Sequence, residues 1–87
     1  MKKNVMLVLV GSRLDSAEKV QKILTGWGCF IKTRLGLHEE VLENCSESGL
    51  LFLELKGDVE KMMDMERKLN LVKSVSARLI TLDTEKD

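Results

Sequence analysis

The sequence predicts an α+β sandwich of four antiparallel strands in one sheet, with two helices on one face. Three observations carry this. Apolar residues fall into six segments whose period switches between strand and helix, in the order strand, helix, strand, strand, helix, strand. Two strand segments, at Asn4–Val10 and Leu50–Lys56, are apolar on both alternations, which marks strands covered on both sides and therefore central ones. Gly, Asn, Asp and Ser punctuate the segments, and proline is absent, so every turn relies on those residues.

The elements follow in order. Asn4–Val10 is a β-branch-rich strand that stops at Gly11. After the turn Gly11-Ser12-Arg13-Leu14, Asp15 stands as a helix N-cap, with Glu18 at the capping-box position. Ala17, Val20, Ile23, Leu24 and Trp27 then recur at helical spacing, and Gly26 and Gly28 supply the stop. Cys29–Leu35 alternates as a second strand, with Cys29, Ile31, Thr33 and Leu35 on one face and Phe30, Lys32 and Arg34 on the other. Gly36 ends it. Residues 37–49 form a polar loop with room for one helical turn at Glu39–Leu42. Leu50–Lys56 is the third strand, with Leu51, Leu53 and Leu55 on one face and Leu50, Phe52 and Glu54 on the other. Gly57-Asp58 makes a turn and an N-cap. Val59, Met62, Met63, Met65 and Leu69 mark the buried stripe of a second helix, which Asn70 ends. Val72–Leu82 is the last strand, and Asp83–Asp87 is a charged tail expected to fray.

Strand, helix, strand, strand, helix, strand is the split βαβ repeat of the ferredoxin-like fold. Right-handed crossovers put both helices on one side, with the first and third strands central. The expected organisation is one domain over residues 1–87, with its core at about 4–82. The other sheet face would then show apolar side chains from the central strands. A patch of that kind marks an interface and predicts a back-to-back or edge-to-edge homo-oligomer, a dimer or a tetramer.

Composition narrows the function classes. Eighty-seven residues make a small domain that oligomerisation would help to stabilise. Fourteen basic residues balance fourteen acidic ones, so there is no basic surplus for generic nucleic-acid binding. The longest apolar run, Val5–Val10, is far shorter than the about 20 residues of a membrane span. It is also too short for a secretory h-region, and Arg13 and Asp15 sit where a cleavage site would lie. A cytoplasmic location follows as the expectation, with Cys29 and Cys45 reduced. No nucleophile–base pair is visible around the sole histidine, and aromatic residues to line a substrate pocket are few, so a non-enzymatic role is expected.

Four constellations carry chemistry. His38, Glu39 and Cys45 combine imidazole, carboxylate and thiolate, the ligand set of zinc or nickel, or they are ordinary members of a polar loop. Gly11, Ser12 and Arg13 offer amides and a charge for a carboxylate or phosphate, or form a plain β–α turn. Arg34, with Lys32 on the same face, is either an anion-binding group at an interface or an edge charge that blocks aggregation. Cys29 reads as a small buried thiol packed under Trp27.

The segment Thr33-Arg34-Leu35-Gly36-Leu37, in this architecture, resembles the iron-only hydrogenase system regulators. These are short single-domain proteins related in fold to ACT domains and to the C-terminal regulatory domain of the nickel-responsive repressor. The resemblance covers about residues 4–82, and Arg34, Leu35, Gly36 and Leu37 match the family's tetrapeptide. The chain departs from the family at His38-Glu39, where members continue Pro-Tyr, and in a longer following loop. Against the nickel repressor, it has one histidine where that site uses several, and no ribbon-helix-helix segment before Asn4.

The resemblance implies a regulatory domain that binds a small effector at a subunit interface. The candidate ligand-binding residues are Gly11, Ser12, Arg13, Arg34 and Gly36. The signal would pass to a separate regulatory or maturation protein. The alternative is an accessory metal protein that uses His38, Cys45 and Glu39 to hold nickel or zinc during metallocofactor assembly. A purely structural oligomerisation module is the third reading.

Overall fold

The structure is a computed structural model that describes residues 1–11, 14–38 and 49–85, with their side chains apart from those of Leu14, Leu37 and His38. Strand β1 (Lys2–Val10) leads to helix α1 (Leu14–Gly26). A short 3-10 turn at Gly28–Phe30 precedes β2 (Ile31–His38). Strand β3 (Gly49–Leu55), helix α2 (Val59–Asn70) and β4 (Val75–Asp83) complete the chain. The sheet order is β2-β3-β1-β4 with every neighbouring pair antiparallel, so the fold is ferredoxin-like and β1 and β3 are central as expected.

Period-two alternation on the strands and the helical stripe meet in one core. Met6, Val8 and Val10 of β1, Leu53 and Leu55 of β3, and Ala77 of β4 lie beneath Val20 and Leu24 of α1 and Met62, Met65 and Leu69 of α2. Met63 was expected in this stripe. It is 55% exposed, because it falls between Met62 and the next core turn.

Caps and connections settle the element ends. The Asp58 carboxylate accepts the Glu60 backbone N–H at 2.9 Å, the N-cap that the sequence predicts. Asp15 is not a cap. It lies inside the first turn of α1, with its carboxylate 3.7 Å from Lys19 one turn on. Strand β4 starts at Val75 and not Val72. Val72 N–H still bonds back to Leu69 O, and Ser74 turns the chain with φ 62° before extension begins. The tail is tied down as far as Glu85. Asp83 pairs with Lys2, Thr84 N–H donates to Met1 O at 2.9 Å, and the N-terminal ammonium lies 3.6 Å from Glu85.

The second strand departs most from expectation. Cys29 belongs to the 3-10 turn and is exposed, while the Trp27 ring packs on Phe30 with centroids 5.8 Å apart. β2 begins at Ile31 and carries a bulge between Ile31 and Thr33. The extra residue moves Thr33 and Leu35 to the sheet face opposite from Ile31, which packs on the core. Gly36 does not end the strand, because pairing to β3 continues through His38. The expected turn at 39–42 lies outside the described residues.

Candidate functional site

Strand register places the predicted site residues. His38 pairs with Gly49, and Gly49 pairs with Val10, so His38 and the end of β1 share one end of the sheet. The backbones of Val10 and His38 are two strand spacings apart there, about 10 Å. Ser12, Arg13, Glu39 and Cys45 lie outside the described residues, as does the His38 side chain. No group of three or more His, Cys, Asp or Glu able to hold a metal occurs among the described residues.

Gly11 has a clear local task. Its N–H donates to Ser74 O at 2.7 Å, and a Cβ at Gly11 would lie 2.9 Å from Ser74 Cβ and 3.0 Å from Ser74 O. Glycine lets the β1–α1 turn close on the α2–β4 connection. Buried Ser16 reinforces the closure, its hydroxyl donating to Lys73 O at 2.5 Å. The Gly11 amide is therefore already engaged within the chain.

Arg34 and Gly36 stand opposite Leu53 and Leu51, on the helix-bearing side of the edge strand β2. Both are exposed. A Cβ on Gly36 would press on Leu51 Cδ2 at 3.3 Å. Lys32 does not share Arg34's face. The bulge lets its ammonium come within 3.8 Å of Glu54, which pairs with Thr33 on the open face.

That open face is the largest feature of the site. Register aligns Leu35 with Phe52 and Phe52 with Leu7, and aligns Leu50 with Leu9 and Val5 with Ile80. Among the described residues, no helix covers this side. Leu9, Leu35 and Leu82 are 50%, 54% and 60% exposed, and Val5, Leu7, Leu50, Phe52 and Ile80 are half-buried. The outer edge of β4 is closed from the helix side. Asn70 Nδ2 donates to Ala77 O at 2.9 Å, Asn70 Oδ1 accepts Ala77 N–H at 2.8 Å, and Glu66 accepts Leu79 N–H at 2.6 Å.

Sequence reasoning missed a basic cavity at the opposite end of the sheet from Gly11. Lys2, Lys3, Lys32 and Lys56 line it together with Glu54. The Lys3 ammonium donates to Glu54 at 2.7 Å. That bond, together with the charges of Lys3 and Lys32, holds the Glu54 carboxyl below its ordinary range. No local motif signals this cluster, since its members are dispersed along the chain and only the strand register assembles them.

No family model matches the chain, and no curated protein matches it. Among solved structures, an uncharacterized protein, TM1266 from Thermotoga maritima, aligns with a TM-score of 0.79 at 23% identity, over 95% of this chain and all of that one. PH0061 aligns with a TM-score of 0.49 at 13% identity, over 99% of this chain and 55% of that one. What the first likeness establishes is the fold: this chain is a small α+β domain built as TM1266 is.

Proposed function

We propose that this chain is a small regulatory domain without catalytic activity of its own, which self-associates through the open face of its sheet. The observation that supports this is the row of exposed and half-buried apolar residues on that face, Leu35, Phe52 and Leu7 with Leu9 and Leu82 flanking it. A second copy is the occupant the face suits. Its centre, at Leu7, Leu35 and Phe52, is apolar and so suits the same surface on a second copy. Back-to-back pairing is favoured over pairing through β4, whose edge groups at Ala77 and the Leu79 N–H are already hydrogen-bonded to α2.

Four strands of about seven residues give a footprint of roughly 450 Å². That is modest beside the about 800 Å² per partner of a standard interface. A modest interface makes an equilibrium that an effector can shift, which is what a sensory domain requires. The effector is a small molecule or metal bound beside the interface, with Arg34, Gly36 and the segments leading from Gly11 and His38 as its contacts. The output passes to a partner protein. A link to an iron-only hydrogenase system rests on the resemblance of Arg34-Leu35-Gly36-Leu37 alone.

Analytical ultracentrifugation over a concentration series tests the reading. The wild-type chain sediments as a dimer or tetramer that dissociates on dilution, and Leu9→Lys/Leu35→Lys sediments as a folded monomer. A wild-type monomer at every concentration, or an oligomer unchanged in the double variant, overturns it.

A further inference from the structure

The basic cavity lies where β1 and β2 begin and β3 ends, and it has a volume of about 270 Å³. We propose that it binds a small, multiply charged phosphate anion of the pyrophosphate class. Every lining residue comes from one chain, so this goes beyond the self-association reading and stands without it.

Charge is the first argument. Four lysines, Lys2, Lys3, Lys32 and Lys56, are among the residues that line the cavity, with a single acidic residue, Glu54. Glu54 holds Lys3 at 2.7 Å and Lys32 at 3.8 Å, while Lys2 and Lys56 make no ion pair among the described residues. A chain with zero formal net charge therefore concentrates a local surplus of positive charge at one end of its sheet. Like charges gathered around one concavity repel, and a bound anion relieves that repulsion. Lysine ammonium is a compact point charge suited to phosphate oxygens.

Backbone placement is the second argument. Lys32 sits at the β2 bulge, which brings its ammonium toward Glu54. Lys56 is fixed by its N–H, which donates to Phe30 O at 2.9 Å. Gly57 follows with φ +112°, and a Cβ there would meet Phe30 Cδ1 at 3.0 Å, so this part of the lining carries no side chain. The neighbouring carboxylate of Asp58 is directed to its own helix, accepting Glu60 N–H.

Size is the third. The volume falls just below the range of drug-sized ligand pockets, roughly 300–1,000 Å³, yet equals several waters at about 30 Å³ each. A diphosphate fits, and the rest of a nucleotide would project into solvent.

Isothermal titration calorimetry of the full chain at low ionic strength tests the assignment, with sodium pyrophosphate and ADP as separate probes. Pyrophosphate binds the wild-type chain, and Lys32→Ala/Lys56→Ala weakens it at least about tenfold. Lys19→Ala/Lys22→Ala, on α1, leaves the affinity unchanged. Glu54→Gln binds more tightly, because it frees Lys3 and Lys32 for the ligand. ADP binding as tightly as pyrophosphate identifies nucleotides as the source of the recognised group, and weaker ADP binding identifies the free diphosphate. Failure of both probes to bind, an equal loss in the α1 variant, or weaker binding by Glu54→Gln overturns the proposal.

Discussion

The two faces of the sheet are built from the same residue types and end in different states. On the helix side Met6, Val8 and Leu53 are wholly buried, and α1 and α2 close over them. On the other side Leu9, Leu35 and Leu82 remain at least half exposed. Phe52 and Leu53, adjacent in sequence, belong to opposite faces. The apolar pattern of a central strand thus states that both faces are to be covered, and the described residues cover only one of them. A small domain has little chain with which to cover both, and under the proposed self-association a second copy would cover the face left open.

Substitutions on the two faces break the comparison at its strongest point. Leu53→Ala opens a cavity in the core and lowers unfolding free energy by about 2–5 kcal/mol, independent of protein concentration. Phe52→Ala costs less at high dilution, and its cost grows as concentration rises and the wild-type face is buried between copies. Urea denaturation of both variants at several concentrations separates the two. A concentration-independent loss of the same size at both positions would show that the faces do not differ in this way.

Next in size is the closure of β4. Asn70→Ala removes both bonds to Ala77, leaves a part-buried N–H and C=O without partners, and costs about 1–2 kcal/mol in denaturant melts. It also frees the β4 edge, so increased aggregation on storage, read by light scattering, should accompany it.

The smallest effect lies at the charged rim of the open face. The Glu54 carboxyl is held below its ordinary range by the hydrogen bond from Lys3 and the charges of Lys3 and Lys32. Because the folded value is the lower one, its stabilising contribution is present above the ordinary carboxylate range. The contribution disappears as pH falls through the lowered value. Thermal melts against pH should show wild type and Glu54→Gln separated at neutral pH and converging in acid. Asp64, lowered by the Arg67 hydrogen bond and the Lys68 charge, follows the same direction on α2.

Much of this was legible in the chain because it is local. The six elements, the Asp58 cap and the central places of β1 and β3 follow from periodicity and turn chemistry that act within a few residues. The errors cluster where a neighbour decides. Cys29 and Phe30 alternate with Ile31 on paper, but Phe30 O is taken by Lys56 N–H, and the chain winds into a 3-10 turn before it can pair. Gly36 looks like a stop, yet β3 offers Leu51 as its partner and the ladder runs on. Asp15 has the composition of a cap, but α1 starts one residue earlier. Of the candidate site, Gly11 reads as a turn glycine, while its reason, the close approach of Ser74, comes from the distant α2–β4 connection.

The sequence alone determined the order of elements, the two-sided apolarity of β1 and β3, and hence a sheet with an unfinished face. These depend on each residue's own preference and its partners one helical turn or two strand positions away. The tertiary structure alone decided the bulge that places Lys32 beside Glu54, the bonds from Asn70 and Glu66 to the β4 edge at Ala77 and Leu79, and the meeting of four lysines and one glutamate at a single cavity. Each depends on which strand lies next to which and in what register. That register is set when the buried faces of all four strands are packed together beneath the helices.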